Sequence, residues 1–463
     1  MKKILFWLLS AFICVSLITL QLNAQSLGSK TKTNNQQKLT KYLKTKNGIK
    51  VLYRKSKSSP IFRIAVNYKK GTKDYIGKDD IGFSTMMSLM PYSTKSKTKE
   101  QIDKIKEKYS LYIGCGGSLE YSQCGLTTTD DHWKQGIELL TEVMLTPAFD
   151  KKGFETNVAR TKSALEATPQ DPESYVNSVL NKVYYGKNHP YASDYKESLF
   201  HLKSLKISDL KKLHSVLNSS NNIFITVVSS VPEKEVMNLI NQKLGHLRSF
   251  PSIPKKVTQP EFQPKNSYAF EHRDIPTAYI KFKFNLPLHT SKETPAIKLM
   301  LRVMSKILTE EVRNKRSLSY SVYSYAITNS IGIGVMGVST SKPKETLEVM
   351  QNVVDTMKNK KLTQTQLGEY KPVFKTYFYK SLESQGAFES SLTKEMFYSG
   401  KVDSFYNFTD TINKISPEDI QNVAKKYLKN FRIGTIFHKD KFKASWAKNF
   451  INHFKSDSPK NKK

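Results

Sequence analysis

Two hydrogen-bond donors of different shape lie close together in Leu308-Thr-Glu-Glu-Val-Arg313-Asn-Lys-Arg316-Ser-Leu318-Ser-Tyr320: the guanidinium fork of Arg313 and the phenol of Tyr320. Both suit a carbonyl oxygen or a developing oxyanion. The pair can equally be a solvated cation at a helix end and a tyrosine in a strand, since both types are common there; Arg316 is a second candidate for the cation. Cys115 and Cys124 in IGCGGSLEYSQCG are the sulfurs beyond Cys14, and His189 in Tyr184-Tyr-Gly-Lys-Asn-His189-Pro190-Tyr191 reads as a lone structural histidine. The methionine-rich run Ile81-Gly-Phe-Ser84-Thr-Met86-Met87-Ser88-Leu-Met90 offers no imidazole, carboxylate or thiolate, so nothing in it can bind zinc. Taken by itself the run is a short helix capped by Asp79 or Asp80, with Ile81, Met86, Leu89 and Met90 packed inward.

These residues need elements to hold them. Asn47-Gly48 separates short strands, and Ile49–Tyr53 and Ile61–Tyr68 alternate like β-structure. Thr98 and Gln101 form a capping box that opens a helix with Ile102, Ile105 and Tyr109 on one face. The two cysteines fall symmetrically about Leu119-Glu120, so a two-residue turn there sets them opposite each other in a hairpin, either bridged or as neighbouring buried thiols. Helical spacing recurs in Trp133, Ile137, Leu140 and Met144, then over 152–167, 173–185, 208–217 and 232–247, with a strand at Ile223–Val228. A proline-rich stretch with little periodicity follows, carrying Pro251, Pro254, Pro260 and Pro264. The second half repeats the plan: strands at 268–272 and 277–284, an apolar helical stripe of Ile297, Leu301, Met304 and Leu308, strands between 319 and 339, further helices, and a closing strand Arg432–Phe437.

The domain divisions are 1–24 signal peptide, 25–44 loose polar segment, 45–248 first domain, 249–265 linker, 266–440 second domain and 441–463 basic tail. The signal is read from Lys2-Lys3, the apolar run Ile4–Leu20 and the small residue Ala24, and it implies export to the periplasm or the exterior. The chain is 463 residues long with a formal charge of +34. The lysines, Lys99, Lys104, Lys106 and Lys108 among them, are spread along helix faces, so the reading is solvated surface and no nucleic-acid partner. A weak contact with anionic membrane surfaces remains compatible with that charge.

With those residues in place, the stretch Gly71–Ile102 resembles the metal-binding helix of insulinase/pitrilysin-type zinc peptidases, which carry H-x-x-E-H in a G-L-A-H-F-L-E-H-M-like segment. Aligned from Thr98-Lys-Glu-Gln-Ile102, similar to the family's S-A-E-E-I, Ser84 and Ser88 take the His positions and Met87 the Glu position. Ahead of the D-P-E-S-like turn Asp171-Pro-Glu-Ser174, Ala164 takes the place of the third ligand, and Glu166 is the only carboxylate a shift of register could supply. His189 falls in an L-Y-G-x-H-P-Y-like piece, and Arg313 and Tyr320 match the Arg and Tyr of L-R-x-x-x-x-L-G/A-Y-S-V, with Ser319 standing where the family has Gly or Ala.

The resemblance runs over roughly 45–437 and implies an α+β fold of two related domains, each a mostly antiparallel sheet covered by helices, arranged as a clamshell around a cavity. In this family Arg and Tyr bind the substrate backbone and polarise the scissile carbonyl, and two-chain members divide labour between a zinc-bearing chain and one that lends these residues. The implied protein is therefore a non-catalytic subunit of a heterodimeric zinc endopeptidase. It has no catalytic residue, metal or cofactor of its own; Arg313 and Tyr320 serve peptide substrates, and the partner carries the zinc. The rival readings are a stand-alone peptide-binding pseudo-peptidase and a protein that binds anionic surfaces.

Overall fold

The computed structural model describes residues 39–456 apart from 57–58, 76, 187 and 251–255. The expected signal peptide, most of the expected loose segment and part of the expected linker lie outside the described residues.

The described residues form two sheets with one repeated topology. In the first, β1 (Thr40–Lys44), β2 (Lys50–Lys55), β3 (Ile61–Tyr68), β4 (Tyr112–Gly117), β5 (Ser122–Thr129) and β6 (Ile223–Ser229) take the order β1-β2-β6-β3-β5-β4. In the second, β7 (Tyr268–His272), β8 (Ala278–Leu286), β9 (Ser321–Thr328), β10 (Gly332–Thr340) and β11 (Arg432–Phe437) take the order β7-β11-β8-β10-β9. Each sheet has one parallel pair, β2 with β6 and β7 with β11, and is otherwise antiparallel. Matching the orders pairs β4 with β9, so the corresponding edge of each domain has no strand partner among the described residues.

One face of each sheet is covered by helices of its own domain. Lys78–Leu89, Trp133–Leu145 and Glu233–Leu244 bury Met86, Ile137, Leu140 and Ile240 on the first; Thr294–Leu308, Pro343–Asn359, Pro417–Tyr427 and Ala444–His453 bury Met300, Met304, Val354 and Phe450 on the second. The other faces are covered by exchange. Pro172–Tyr185, from the first half, packs on β7, β8 and β11, while Gln385–Ser399, from the second half, packs on β3 and β6. Each sheet face turned toward the other half is thus covered by a helix that the other half supplies. Strands β6 and β11 are buried at every position as a result, the condition of a strand covered on both faces.

Two boundaries differ from expectation. The expected loose segment 25–44 ends in a strand: β1 pairs with β2 from Thr40↔Arg54 to Lys44↔Lys50, so it is held by ladder hydrogen bonds although its side chains are mostly polar. The stretch read as a basic tail contains the helix Ala444–His453, whose Ala447, Phe450 and Ile451 are buried in the second core, followed by buried Phe454. The described part of the proline-rich stretch is pinned as well, since the carbonyl of Pro260 accepts from Asn285 at 2.7 Å and from Arg432 at 3.1 Å.

Candidate functional site

Helix Lys78–Leu89 starts after Gly77, whose φ of 61° suits glycine. Asp79 and Asp80 lie in its first turn, with no side-chain cap. There they favour the helix dipole, and burial, followed by the charge of Glu197, pushes the Asp80 carboxyl up to about 6. Phe83, Met86 and Met87 are fully buried. Ser84 and Ser88 share the outer side, where the Ser88 hydroxyl donates to the Ser84 carbonyl at 3.0 Å. The helix leans on edge strand β4, where Gly117 leaves room for Phe83 and Met87: a Cβ on Gly117 would stand 3.4 Å from the Phe83 ring and 3.8 Å from Met87 Cγ. Ala164 is exposed on the neighbouring helix Lys151–Ala167, and Glu166 there faces Lys162 at 3.8 Å. The geometry thus brings the three ligand positions onto two packed helices with no donor on any of them.

The disulfide pairing of Cys115 with Cys124 joins β4 to β5, and the two residues sit opposite each other with Cα atoms 4.1 Å apart. His189 is structural: its Nε2 lies 2.9 Å from the Thr258 carbonyl, and its Nδ1 accepts from the Tyr191 amide at 3.0 Å.

Arg313 occupies a π-helical turn, Thr309–Asn314, continuing Thr294–Leu308; such turns often mark functional positions. Its guanidinium lies over the Tyr320 ring at 4.2 Å from the centroid. Tyr320 is 82% exposed, which removes the reading of it as a core strand residue. Arg316 is committed elsewhere, to the Glu311 carboxylate at 2.6 Å and the Glu311 carbonyl at 2.8 Å. Ser319, the departure from the family pattern, is buried with its hydroxyl 2.6 Å from the Ser339 carbonyl, a bond that glycine or alanine could not make. Tyr320 directly precedes edge strand β9. Its topological counterpart in the first half is Tyr112, 75% exposed at the head of edge strand β4. Sequence reasoning missed Tyr112, since only the matched strand orders reveal the equivalence.

It also missed Glu120. This hairpin-tip carboxylate is buried against the other domain, where it accepts from the Ser330 amide at 3.1 Å and from the Tyr398 hydroxyl. No spacing in the sequence marks partners so far along the chain.

Comparison with known proteins bears on the whole arrangement. Residues 204–372 match the family described as peptidase M16 inactive domain. Zinc protease PqqE of Helicobacter pylori is 21% identical over 412 residues, which is 85% of this chain and 91% of that protein. The structure of a peptidase M16 inactive domain from Pseudomonas fluorescens superposes with a TM-score of 0.78 at 19% identity, covering 86% of this chain and 98% of that one. The periplasmic protease PqqL from Escherichia coli gives 0.74 at 14% identity, covering 86% of this chain and only 45% of PqqL. Together these findings support an insulinase-like family in degenerate form.

Proposed function

We propose that this insulinase-like pseudo-peptidase is the exported, non-catalytic subunit of a two-chain zinc endopeptidase. The observation that carries the reading is the asymmetry between the halves: the first presents Ser84, Met87, Ser88 and Ala164 where ligands and base would stand, while the second presents Arg313 stacked on an exposed Tyr320. A guanidinium and a phenol facing solvent can hold a peptide backbone and stabilise an oxyanion. The water activation they would serve must then come from zinc on another chain. PqqL, of which this chain covers 45% while 86% of this chain is matched, is about twice this unit and so favours a pairing of two such units. That protease's description as periplasmic also favours export.

In this reading an extended peptide adds as a strand to an open edge, β4 or β9, and main-chain hydrogen bonds make capture tolerant of side chains. The test combines this chain with its H-x-x-E-H partner. Peptide hydrolysis should rise well above that of either chain alone. Arg313→Ala or Tyr320→Phe should lower turnover of the pair on the order of 10²-fold, the usual cost of one oxyanion donor, with folding and association intact. Arg316→Ala should matter less, because its cation is already bound to Glu311. Full activity in assembled Arg313 and Tyr320 variants would overturn the lending mechanism and leave peptide capture as the better account.

A further inference from the structure

A cavity of about 670 Å³ opens in the second domain, between the 289–292 loop, the first turn of helix Thr294–Leu308, the end of helix Gln385–Ser399 and the short helices Asp403–Tyr406 and Phe408–Lys414. This volume lies within the range of small-molecule sites. Tyr398 and Phe408 give it apolar walls, and the exposed Lys292 and Lys401 stand at its rim. One acid in its lining is already engaged: Glu395 takes His289 Nε2 at 2.9 Å on one oxygen and the Ser404 hydroxyl at 2.5 Å on the other. The second nitrogen of His289 lies 3.3 Å from the Thr328 hydroxyl, which completes that network.

Lys298 is different. It lines the cavity from the first turns of its helix, and its amine makes no hydrogen bond or ion pair among the described residues. Burial, then the charge of Lys394, pushes it down to about 8, with Glu395 pulling the other way. The remaining charged groups around the cavity are Lys292, Lys401, Asp403 and the Glu395-bound His289. A half-buried amine with no hydrogen-bond or ion-pair partner, its nearby acid Glu395 already held by His289 and Ser404, faces a cavity with further cations at its mouth and is free to receive an anion.

We propose that this cavity binds a small oxyanion-bearing ligand, a carboxylate or a phosphomonoester, whose charged end is received by the Lys298 amine. The site is separate from the Arg313–Tyr320 pair and does not depend on the reading given for it. Because the ligand pairs with the protonated amine, binding takes up a proton wherever the free lysine is neutral. Affinity should therefore fall about tenfold per pH unit above about pH 8, and the phosphate probes should also weaken on acidification as they lose their second charge at about pH 6.

The test uses the intact chain with inorganic phosphate, glycerol 3-phosphate and succinate as probes, and mass mapping of lysine acetylation at slightly alkaline pH as the readout. Lys298 should acetylate ahead of exposed lysines such as Lys344, and a millimolar probe should slow it selectively. Protection by the phosphates assigns the ligand as a phosphomonoester, and protection by succinate assigns it as a carboxylate. In calorimetry Lys298→Met should weaken binding at least tenfold, Lys298→Arg should retain it, and Lys344→Met should leave it unchanged. Failure of all three probes to protect Lys298 in the unsubstituted protein, or undiminished binding to Lys298→Met, would overturn the proposal.

Discussion

Lys283 makes the contact between the two halves sensitive to pH. It projects from β8 beneath the exchanged helix Pro172–Tyr185, donates to Asn181 Oδ1 at 2.5 Å, and lies 4.7 Å from the ring centroid of Tyr185 and 5.2 Å from that of Tyr184. Directly across the ladder stands the buried Arg432, and Lys281 lies two residues along the strand. Burial, then the charge of Lys281, lowers the Lys283 amine to about 7. In the unfolded chain a lysine titrates near 10.4, so between those values the unfolded state holds a proton that the folded state has lost. Stability must then rise with pH across this window and be lowest below about pH 7, where the amine is charged in both states and the folded protein bears the desolvation cost. The slope is about 1.4 kcal/mol per pH unit, on the order of 4–5 kcal/mol over the whole window. Lys283→Met keeps the aliphatic length and removes the titration. Urea unfolding of both proteins from mildly acidic to mildly alkaline pH, short of tyrosine ionisation, isolates the effect, because Lys298 and other shifted groups cancel in the difference. The native protein should gain on the variant steadily above neutrality, and at acid pH the variant should match or exceed it. Parallel stability curves would refute the reasoning, since they would mean that Lys283 keeps its proton in the folded state.

Two further outcomes follow from the first domain. Replacing Cys115 and Cys124 together by serine should cost about 2–3 kcal/mol, the loop-closure value for so short a span, and reduction should lower the unsubstituted protein's denaturant midpoint to match. Installing Ser84→His, Ser88→His and Ala164→Glu together should create a zinc site, because the serines share the outer side of one helix and Ala164 is exposed on the helix packed beside it. Metal analysis after dialysis should find bound zinc in the triple variant and none in the variant lacking the glutamate; zinc-free triple variant would show that the two helices do not hold the family's spacing.

Much of this architecture was legible where local signals agree. The hairpin with Cys115 opposite Cys124 follows from symmetry about Leu119-Glu120, and the capping box at Thr98 and Gln101 forms with the Thr98 hydroxyl accepting from Gln101 N at 3.3 Å. The closing helix was misread because composition outweighed period: Lys443, Lys448 and Lys455 make the segment look like a solvated tail, while Ala447, Phe450, Ile451 and Phe454 form a buried stripe beneath them. At the candidate site the resemblance could name Arg313 and Tyr320, but separating Arg313 from Arg316 required the Glu311 ion pair, which depends on how the π-helical turn aims each side chain. The exchanged helices left no trace at all, since a helix that covers its own sheet and one that covers a neighbour's carry the same apolar stripe.

That exchange limits how the proposed subunit can work. Separating the two halves would uncover β6 and β11, both buried throughout. It would also strip Arg63 from the buried carboxylate of Glu389, 3.3 Å away, and Lys281 from Glu173, 2.5 Å away, and break the contacts of Glu120 with Ser330 and Tyr398. Removing one partner from a buried ion pair is costly, because it leaves an uncompensated charge in a poor dielectric. The two domains therefore behave as one body, with edges β4 and β9 and the Arg313–Tyr320 pair presented outward. In the proposed pairing, the wall that would enclose a peptide comes from the second chain, and it is there that Arg313 and Tyr320 would serve the partner's zinc.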